Sequence, residues 1–145
     1  MNNNIFIDSS LLVEYIKGRK TELLTELIGD ELAVTFINET VDSEFMLYFL
    51  AHFGKASPRS LLSSEKIARL LSDNSGFALL KKFDFLATED SLFKLDPDLM
   101  KKYNLLPNDA IILATCKIHN IAKLASHDSD FIEPCKGEGI ELLKE

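Results

Sequence analysis

Short apolar segments alternate with helical segments along most of this chain, and that alternation limits the possible folds more than any other feature of the sequence. Five strands are predicted, over residues 4–7, 32–37, 84–87, 121–125 and 140–143, and the second is apolar enough to be buried on both faces. Helices are predicted between them. The first follows Ser9-Ser10, has its apolar stripe between Leu11 and Ile16, and stops at Gly18; the others lie over residues 22–28, 38–52, 60–71, 76–82, 89–103 and 107–118. Strands that alternate with helices are typical of α/β proteins with right-handed crossovers. The predicted fold class is therefore α/β, with a central parallel sheet of four to five strands.

Polar residues are predicted to begin several of these helices. Ser9 and Ser10 can cap the first helix, Asn38 the helix that follows the second strand, and Thr88 the helical region 89–103. Residues 132–139 are predicted to hold a loop and then a turn before the last strand, with Cys135 in the loop.

The composition is that of an ordinary globular protein and favours one domain over residues 1–145, with 46% hydrophobic and 27% charged residues. A net charge of −7 excludes a protein that holds nucleic acid by a uniformly basic surface. It does not exclude a nucleic-acid enzyme whose carboxylates hold metal ions.

Two cysteines, Cys116 and Cys135, are too few for a disulfide framework and lack the close spacing of zinc ligands. No signal peptide or membrane span is evident, so the protein is expected in the cytoplasm.

Five acidic residues that are far apart in the sequence are predicted to lie at one edge of the sheet. Asp8 directly follows the first strand, and Glu44 lies early in the helix after the second strand. Asp109 begins an apolar helix, and Asp128 and Asp130 follow the fourth strand. Because sites in parallel α/β sheets form beyond the carboxyl ends of the strands, these acids are expected to converge.

Each acid has an ordinary structural explanation when it is considered alone: a helix cap, a first-turn acid, a solvated helix face or an Asx-turn. Together they are harder to explain in this way. Carboxylates about 5 Å apart repel by roughly 3 kcal/mol per pair at an effective dielectric near 20. A cation between them would remove that repulsion, and oxygen ligands favour Mg²⁺ or Mn²⁺ over Zn²⁺.

The acids lie in four segments, residues 5–18, 38–45, 108–114 and 126–131, which contain Ile7-Asp8-Ser9-Ser10, Ser43-Glu44-Phe45, Asn108-Asp109-Ala110 and Ser126-His127-Asp128. In this order the segments resemble the motifs of the PIN-domain family, and within it the VapC-type toxins of bacterial and archaeal toxin–antitoxin systems. The resemblance extends from residue 5 to residue 131, and the third segment is the most specific of the four.

The resemblance implies a three-layer α/β/α fold and metal-dependent RNA cleavage. The metal-site and catalytic acids that it implies are Asp8, Glu44, Asp109 and Asp128, with Asp130 sharing or replacing the role of Asp128. Ser126 is expected to support the site through its hydroxyl group. Phosphodiester hydrolysis helped by one or two Mg²⁺ or Mn²⁺ ions is the mechanism expected of such a site.

The sequence also predicts residues that could bind the substrate and surfaces that could bind protein partners. Lys17, Arg19 and Lys20 follow the first helix and are predicted either to bind RNA phosphates or to be solvated charges, and Lys55 and Arg59 offer the same alternative. An apolar stripe on the helix after the second strand is predicted to pack in the core, with a homodimer face or a groove for an antitoxin helix as alternatives; it comprises Phe45, Met46, Phe49, Leu50 and Phe53. The family resemblance implies both an antitoxin and a homodimer.

Two other classes of protein are weighed against the ribonuclease. The first is a catalytically inert PIN-like binding module that acts within an RNA-processing complex, and the intact set of acids counts against it. The second is a different α/β class. A receiver domain would need an acid next to Asp8, where Ser9 stands, and a dinucleotide-binding domain would need a G-x-G-x-x-G motif, which the sequence lacks.

Overall fold

The fold is a five-stranded parallel sheet flanked by helices, described here from a computed structural model that covers residues 2–74 and 76–145. The strands are β1 (Asn4–Ile7), β2 (Val34–Asn38), β3 (Asp84–Leu86), β4 (Lys123–Ala125) and β5 (Glu141–Leu143). They lie in the order β3-β2-β1-β4-β5, and every neighbouring pair is parallel. The predicted α/β class, the parallel sheet and the three-layer arrangement are confirmed.

Eight α-helices connect the strands within the described residues. They are α1 (Ser9–Ile16), α2 (Glu22–Gly29), α3 (Glu39–Gly54), α4 (Pro58–Ser63), α5 (Ile67–Asp73), α6 (Leu92–Tyr103), α7 (Pro107–Ile118) and α8 (Ile132–Glu138). Two 3₁₀ segments, Gly76–Lys82 and Ser129–Phe131, complete the secondary structure. The part of the chain that the structure describes contains no helix both long and apolar enough to cross a membrane.

The core lies where the central strand meets α3 and α7. Phe6 of β1 is fully buried, as are Phe45 and Phe49 of α3, whose ring centroids lie 6.1 Å apart. Burying a Phe, Leu or Ile side chain contributes about 1.5–3 kcal/mol. Core packing therefore accounts for Phe45 and Phe49 of the predicted apolar stripe, and Met46, Leu50 and Phe53 pack against the same core from partly buried positions.

A buried carboxylate joins α6, α7 and α8. Glu138 has a side chain only 6% exposed, and it accepts hydrogen bonds from Lys102 (2.8 Å), Tyr103 (2.7 Å) and Lys117. Although burial opposes the charge, these donors lower the pKa of Glu138 to about 2. The cluster therefore fixes the helix that precedes β5 against the rest of the fold.

One segment predicted as a helix and one predicted as a loop differ from the structure. The single helix predicted over 60–71 is two helices, because Glu65 adopts a left-handed conformation (φ 54°) between α4 and α5. The segment predicted as loop and turn before β5 is mostly α8, in which Cys135 is buried. Pro134 falls in the first turn of α8, where a missing N–H group costs no hydrogen bond.

The second strand is less buried than predicted. It begins at Val34, which is 41% exposed, and Leu32 lies outside the strand and is 74% exposed. The expectation that this segment is buried on both faces is therefore wrong for its first half, and its buried residues are Ile37 and Asn38, at the end that leads into α3. The predicted Thr88 cap is also wrong: Ser91 precedes α6, and the Thr88 N–H donates to the Glu39 carboxylate at 2.8 Å.

The strand order places a crevice at the end of β1. The chain leaves β1 for β2 on one side of it and later returns to β4 on the other side. Loops that leave such a switch point diverge, so ligands of open α/β sheets bind there. The residues that directly follow β1 and β4 are Asp8 and Ser126.

Candidate functional site

Asp8 is a buried acid, only 4% exposed, at the junction of β1 and α1. It is itself the N-cap of α1, in place of the predicted Ser9 or Ser10 cap, since its Oδ2 accepts the Ser10 N–H at 3.3 Å. The hydroxyl groups of Ser10 (2.6 Å) and Ser126 (2.7 Å) donate to the same oxygen. Burial raises the pKa of Asp8, and the two hydroxyl donors partly oppose that rise. Its hydrogen bonds with the described residues thus use Oδ2 and leave Oδ1 for a ligand.

The two serines also hold the loop after β4. The Ser126 Oγ accepts the Asp128 N–H at 3.0 Å, and the Ser10 Oγ accepts the His127 N–H at 3.0 Å. Each hydroxyl group therefore donates to Asp8 and accepts from the loop, so both of its hydrogen-bonding directions are used. This network ties the orientation of Asp8 to the position of Asp128.

Glu44 is a half-buried acid on α3 that contacts two other helices. The Ser9 hydroxyl donates to its Oε2 at 2.6 Å, and the Asn108 side-chain amide donates to its Oε1 at 2.7 Å. Hydrogen bonds to a carboxylate are about twice as strong as those between neutral groups. The side chain is therefore fixed from α1 on one side and from α7 on the other.

Asp109 lies in the first turn of α7, and its pKa is raised by its surroundings. Burial, and then the negative charges of Asp128, Asp8, Glu44 and Asp130, raise its pKa to about 6. The other four acids therefore all lie within electrostatic reach of Asp109. The structure thus brings together the acids that the sequence spreads over more than 120 positions.

Three of these acids are close enough to share one cation. Asp109, Asp128 and Asp130 each offer a carboxylate oxygen, and these oxygens lie within 4.8 Å of one another. The Asp130 N–H donates to Asp128 Oδ1 at 2.9 Å, so this pair is held together by the backbone as well. Repulsion of about 3 kcal/mol per pair at an effective dielectric near 20 makes a cation favourable there. Asp8 and Glu44 adjoin the trio, and the all-oxygen donor set fits Mg²⁺ or Mn²⁺.

The basic residues predicted to bind substrate separate into two groups. Arg19 and Lys20 line a cleft that Asp128 also lines. Lys17 instead binds Glu14 at 3.2 Å, and its ammonium group lies 4.6 Å from the centre of the Tyr48 ring. Of the other candidates, Lys55 caps the far end of α3, about 16 Å along the helix axis from Glu44, and Arg59 follows in α4.

Four polar residues at the site were not given these roles by sequence reasoning. Ser9 and Ser10 were expected only to cap α1, and Asn108 only to precede an acid. His127 follows the fourth predicted strand, and from the sequence it is expected to be a surface loop residue, with contact to a phosphate near the site as the alternative. In the structure His127 is half-buried, and its two ring nitrogens have no hydrogen-bond partner among the described residues. The one signal in the sequence that could have identified these four residues is that each lies within two positions of a candidate acid.

Comparisons with known proteins identify the family of this chain and solved structures that share its fold. A sequence model described as PIN domain matches residues 5–137. Ribonuclease VapC6 of Methanocaldococcus jannaschii is 38% identical over 161 aligned positions, which cover 99% of this chain and 98% of the relative. Ribonuclease VapC2 of the same organism is 32% identical over 130 residues, or 89% of this chain and 87% of the relative. A solved toxin-antitoxin complex from Klebsiella pneumoniae has the same fold, with a TM-score of 0.60 and 20% identity over 88% of this chain and 90% of that chain.

Proposed function

Because this chain belongs to the PIN-domain family, we propose that it is a metal-dependent endoribonuclease and the toxin of a toxin–antitoxin pair. The observation that carries this proposal is the convergence of five carboxylates at one end of the sheet, where burial and then the charges of the other four acids raise the pKa of Asp109 to about 6. The names of the two archaeal relatives, both ribonucleases, support RNA as the substrate.

Asp8, Asp109 and Asp128 are the proposed metal ligands, and Asp130 extends the set on the exposed side. Glu44 completes the site directly or through water. When bound, Mg²⁺ or Mn²⁺ supplies a Lewis acid that makes a water molecule acidic and stabilises charge on the departing oxygen. The proposed products carry a 5′ phosphate and a 3′ hydroxyl group.

The residues around the acids prepare them for this chemistry. Ser10 and Ser126 direct the hydrogen bonds of Asp8 to Oδ2, and this leaves Oδ1 to face the ligand. Asn108 and Ser9 hold Glu44 by opposite oxygens. Side chains locked in this way lose less freedom when a substrate is bound, which is the usual source of positioning effects in catalysis.

An antitoxin and a second copy of the chain are the proposed protein partners. The solved complex from Klebsiella pneumoniae, which shares the fold, is described as a toxin-antitoxin complex. Several large apolar side chains are more than half exposed, among them Leu47, Leu62, Phe93 and Leu106. A contiguous patch of such side chains is typical of interfaces between proteins, and these residues are the candidates for one.

The test is RNA cleavage by the purified protein, compared with an Asp109→Asn variant and an Asp98→Asn control. Asp98 is an exposed acid on α6, so both variants lose one negative charge. Labelled single-stranded and structured RNAs are incubated with Mg²⁺ or Mn²⁺ and, separately, with EDTA. We expect metal-dependent cleavage by the wild type and the control, and a loss of at least a hundredfold in the Asp109 variant.

Two results would contradict the proposal. Cleavage that survives EDTA or the Asp109 substitution would place the activity elsewhere. Absence of cleavage, combined with no heat of Mn²⁺ binding in calorimetry, would favour an inert PIN-like binding module.

A further inference from the structure

A cleft of about 540 Å³ opens beside the acidic cluster. One wall is formed by α1 and the turn that follows it, and the other wall is formed by the loop after β4. The lining residues are Ser10, Val13, Glu14, Arg19, Lys20, His127 and Asp128. Because Asp128 belongs to both the cleft and the acidic cluster, a ligand that fills the cleft touches the proposed metal site.

The cations of this cleft differ in how they are held. The Arg19 guanidinium group binds Glu14 through two nitrogens, each at 3.1 Å, so its position is fixed. Lys20 is exposed and forms no ion pair with any acid in the described part of the chain. Its left-handed backbone conformation (φ 44°) turns the chain at the mouth of the cleft. Lys20 is therefore the cation most available to an anionic ligand.

His127 supplies a hydrogen-bonding group with no partner in the described residues. Its two ring nitrogens are shielded from solvent, although the residue itself is only half-buried. A shielded polar atom without a partner destabilises the structure that holds it, and a ligand oxygen in the cleft would remove that destabilisation. Either the neutral or the charged ring has an N–H group to donate, so the contact does not depend on titration.

From these contacts we infer that the cleft binds a backbone phosphate of RNA next to the phosphate that is cleaved. Lys20 and Arg19 attract its oxygens, and His127 donates a hydrogen bond. The inference rests on the proposed ribonuclease function and adds a substrate site to it. The lining favours a phosphate over a base, because Val13 is its only apolar residue among those described and no Phe, Tyr or Trp is present for stacking.

The test separates the charge of Lys20 from the hydrogen bond of His127. Binding of a short fluorescein-labelled single-stranded RNA is measured by anisotropy in Mg²⁺, over a range of salt concentrations, with Asp109→Asn in every protein to prevent cleavage. Lys20→Gln is compared with Lys94→Gln, which removes one exposed lysine from α6. Each phosphate contact contributes about 0.7 to the slope of log K against log salt for single strands.

We expect Lys20→Gln to weaken binding three- to tenfold at low salt and to reduce the slope by about 0.7. His127→Ala is expected to weaken binding with the slope unchanged, because the lost donor need carry no charge. Lys94→Gln is expected to behave like the parent protein. Without the Asp109 substitution, Lys20→Gln should raise KM far more than it lowers kcat, as loss of uniform binding does.

The result that would overturn the inference is equal binding and equal slopes for the Lys20, His127 and Lys94 variants, while the wild type still cleaves RNA. In that case the ribonuclease proposal stands and only the cleft loses its role. If the wild type neither binds nor cleaves RNA, both proposals fall. Melting temperatures of all variants identify any loss of affinity that comes from misfolding.

Discussion

Replacing Asp109 by Asn is expected to stabilise the metal-free protein while it removes the proposed activity. The folded structure raises the pKa of this carboxyl from 3.8 to about 6. At about 1.36 kcal/mol per unit, the charged form is disfavoured by about 3 kcal/mol in the folded state. Because Asp109 is only half-buried, solvent screening reduces the usable figure to about 1–2 kcal/mol. For a chain of 145 residues this corresponds to a rise in melting temperature of roughly 3–8 °C.

The sign of the pH dependence follows from the direction of the pKa shift. Below pH 3.8 the carboxyl is protonated in both states, and its effect on stability is absent. As pH rises from 3.8 to about 6, the unfolded chain releases this proton more readily than the folded protein, so stability is lost. Above about pH 6 the loss is complete. The difference between the variant and the wild type should therefore be largest at pH 7–8 and should shrink as pH falls.

Metal is expected to reverse the order of stability. A ligand at a hundred times its Kd stabilises the state that binds it by about 2.7 kcal/mol. The wild type should gain most of that amount in Mg²⁺ or Mn²⁺, and the Asp109 variant should gain much less because it lacks one ligand. Without metal the variant melts higher, and with metal the wild type does.

Differential scanning fluorimetry in EDTA and in excess Mn²⁺, from pH 5 to pH 8, measures both effects. Asp98→Asn is the matched control, because it removes one exposed carboxylate outside the cluster. The reasoning is refuted if Asp109→Asn melts below the wild type in EDTA at neutral pH. It is also refuted if the Asp98 variant shows the same rise, since the cause would then be net charge and not the cluster.

Three further substitutions test other parts of the structure. Glu138→Gln should lower the free energy of unfolding at pH 7 by about 2–3 kcal/mol, measured in urea, and the wild type should lose this stability as pH falls from 4.5 to about 2. Ser126→Ala should weaken Mn²⁺ binding about tenfold and speed hydrogen exchange at the Asp128 amide, which loses its acceptor. Gly137→Ala should destabilise the fold by about 1–3 kcal/mol, because the new Cβ would overlap the Tyr103 hydroxyl group.

The Ser126 and Gly137 expectations each have a matched control. Ser129→Ala removes an exposed hydroxyl three residues from Ser126 and should leave Mn²⁺ binding unchanged. Equal affinities in the two serine variants would exclude a positioning role for Ser126. A Cβ at Gly29 would meet no atom within 4 Å, so Gly29→Ala should leave the free energy of unfolding nearly unchanged. An equal loss of stability in the Gly29 and Gly137 variants would refute the steric argument.

The sheet could be predicted because its strands are apolar segments and because the stretches between them are long enough to form helices. The segment that becomes β1 and the stretch 121–125 need to be buried in any fold of this chain, and parallel connections then leave few possible arrangements. The acids converge for the same reason, since each follows a strand or begins a helix at that end. Their individual roles stay predictions.

The parts that could not be predicted depend on contacts between distant residues. Pro134 and Gly137 indicate a loop, yet α8 forms because Glu138 at its end is held by two lysines and Tyr103 from α6 and α7. Likewise, no local pattern shows that Ser10 and Ser126 meet, because 116 positions separate them. Helix propensity reflects only residues that are close in the sequence, and these contacts between distant residues outweigh it.

The serine network has a consequence for the order of events during synthesis. Asp8 accepts hydrogen bonds from Ser10, at the start of α1, and from Ser126, directly after β4, so one of these two donors is made only after β1, β2 and β3. A nascent or truncated chain that stops before β4 holds Asp8 and Glu44 without Asp128, and so has no assembled acid cluster. For a nuclease whose substrates surround it as it is made, such a late assembly would keep unfinished chains harmless and would leave the completed protein as the form that an inhibitor must bind.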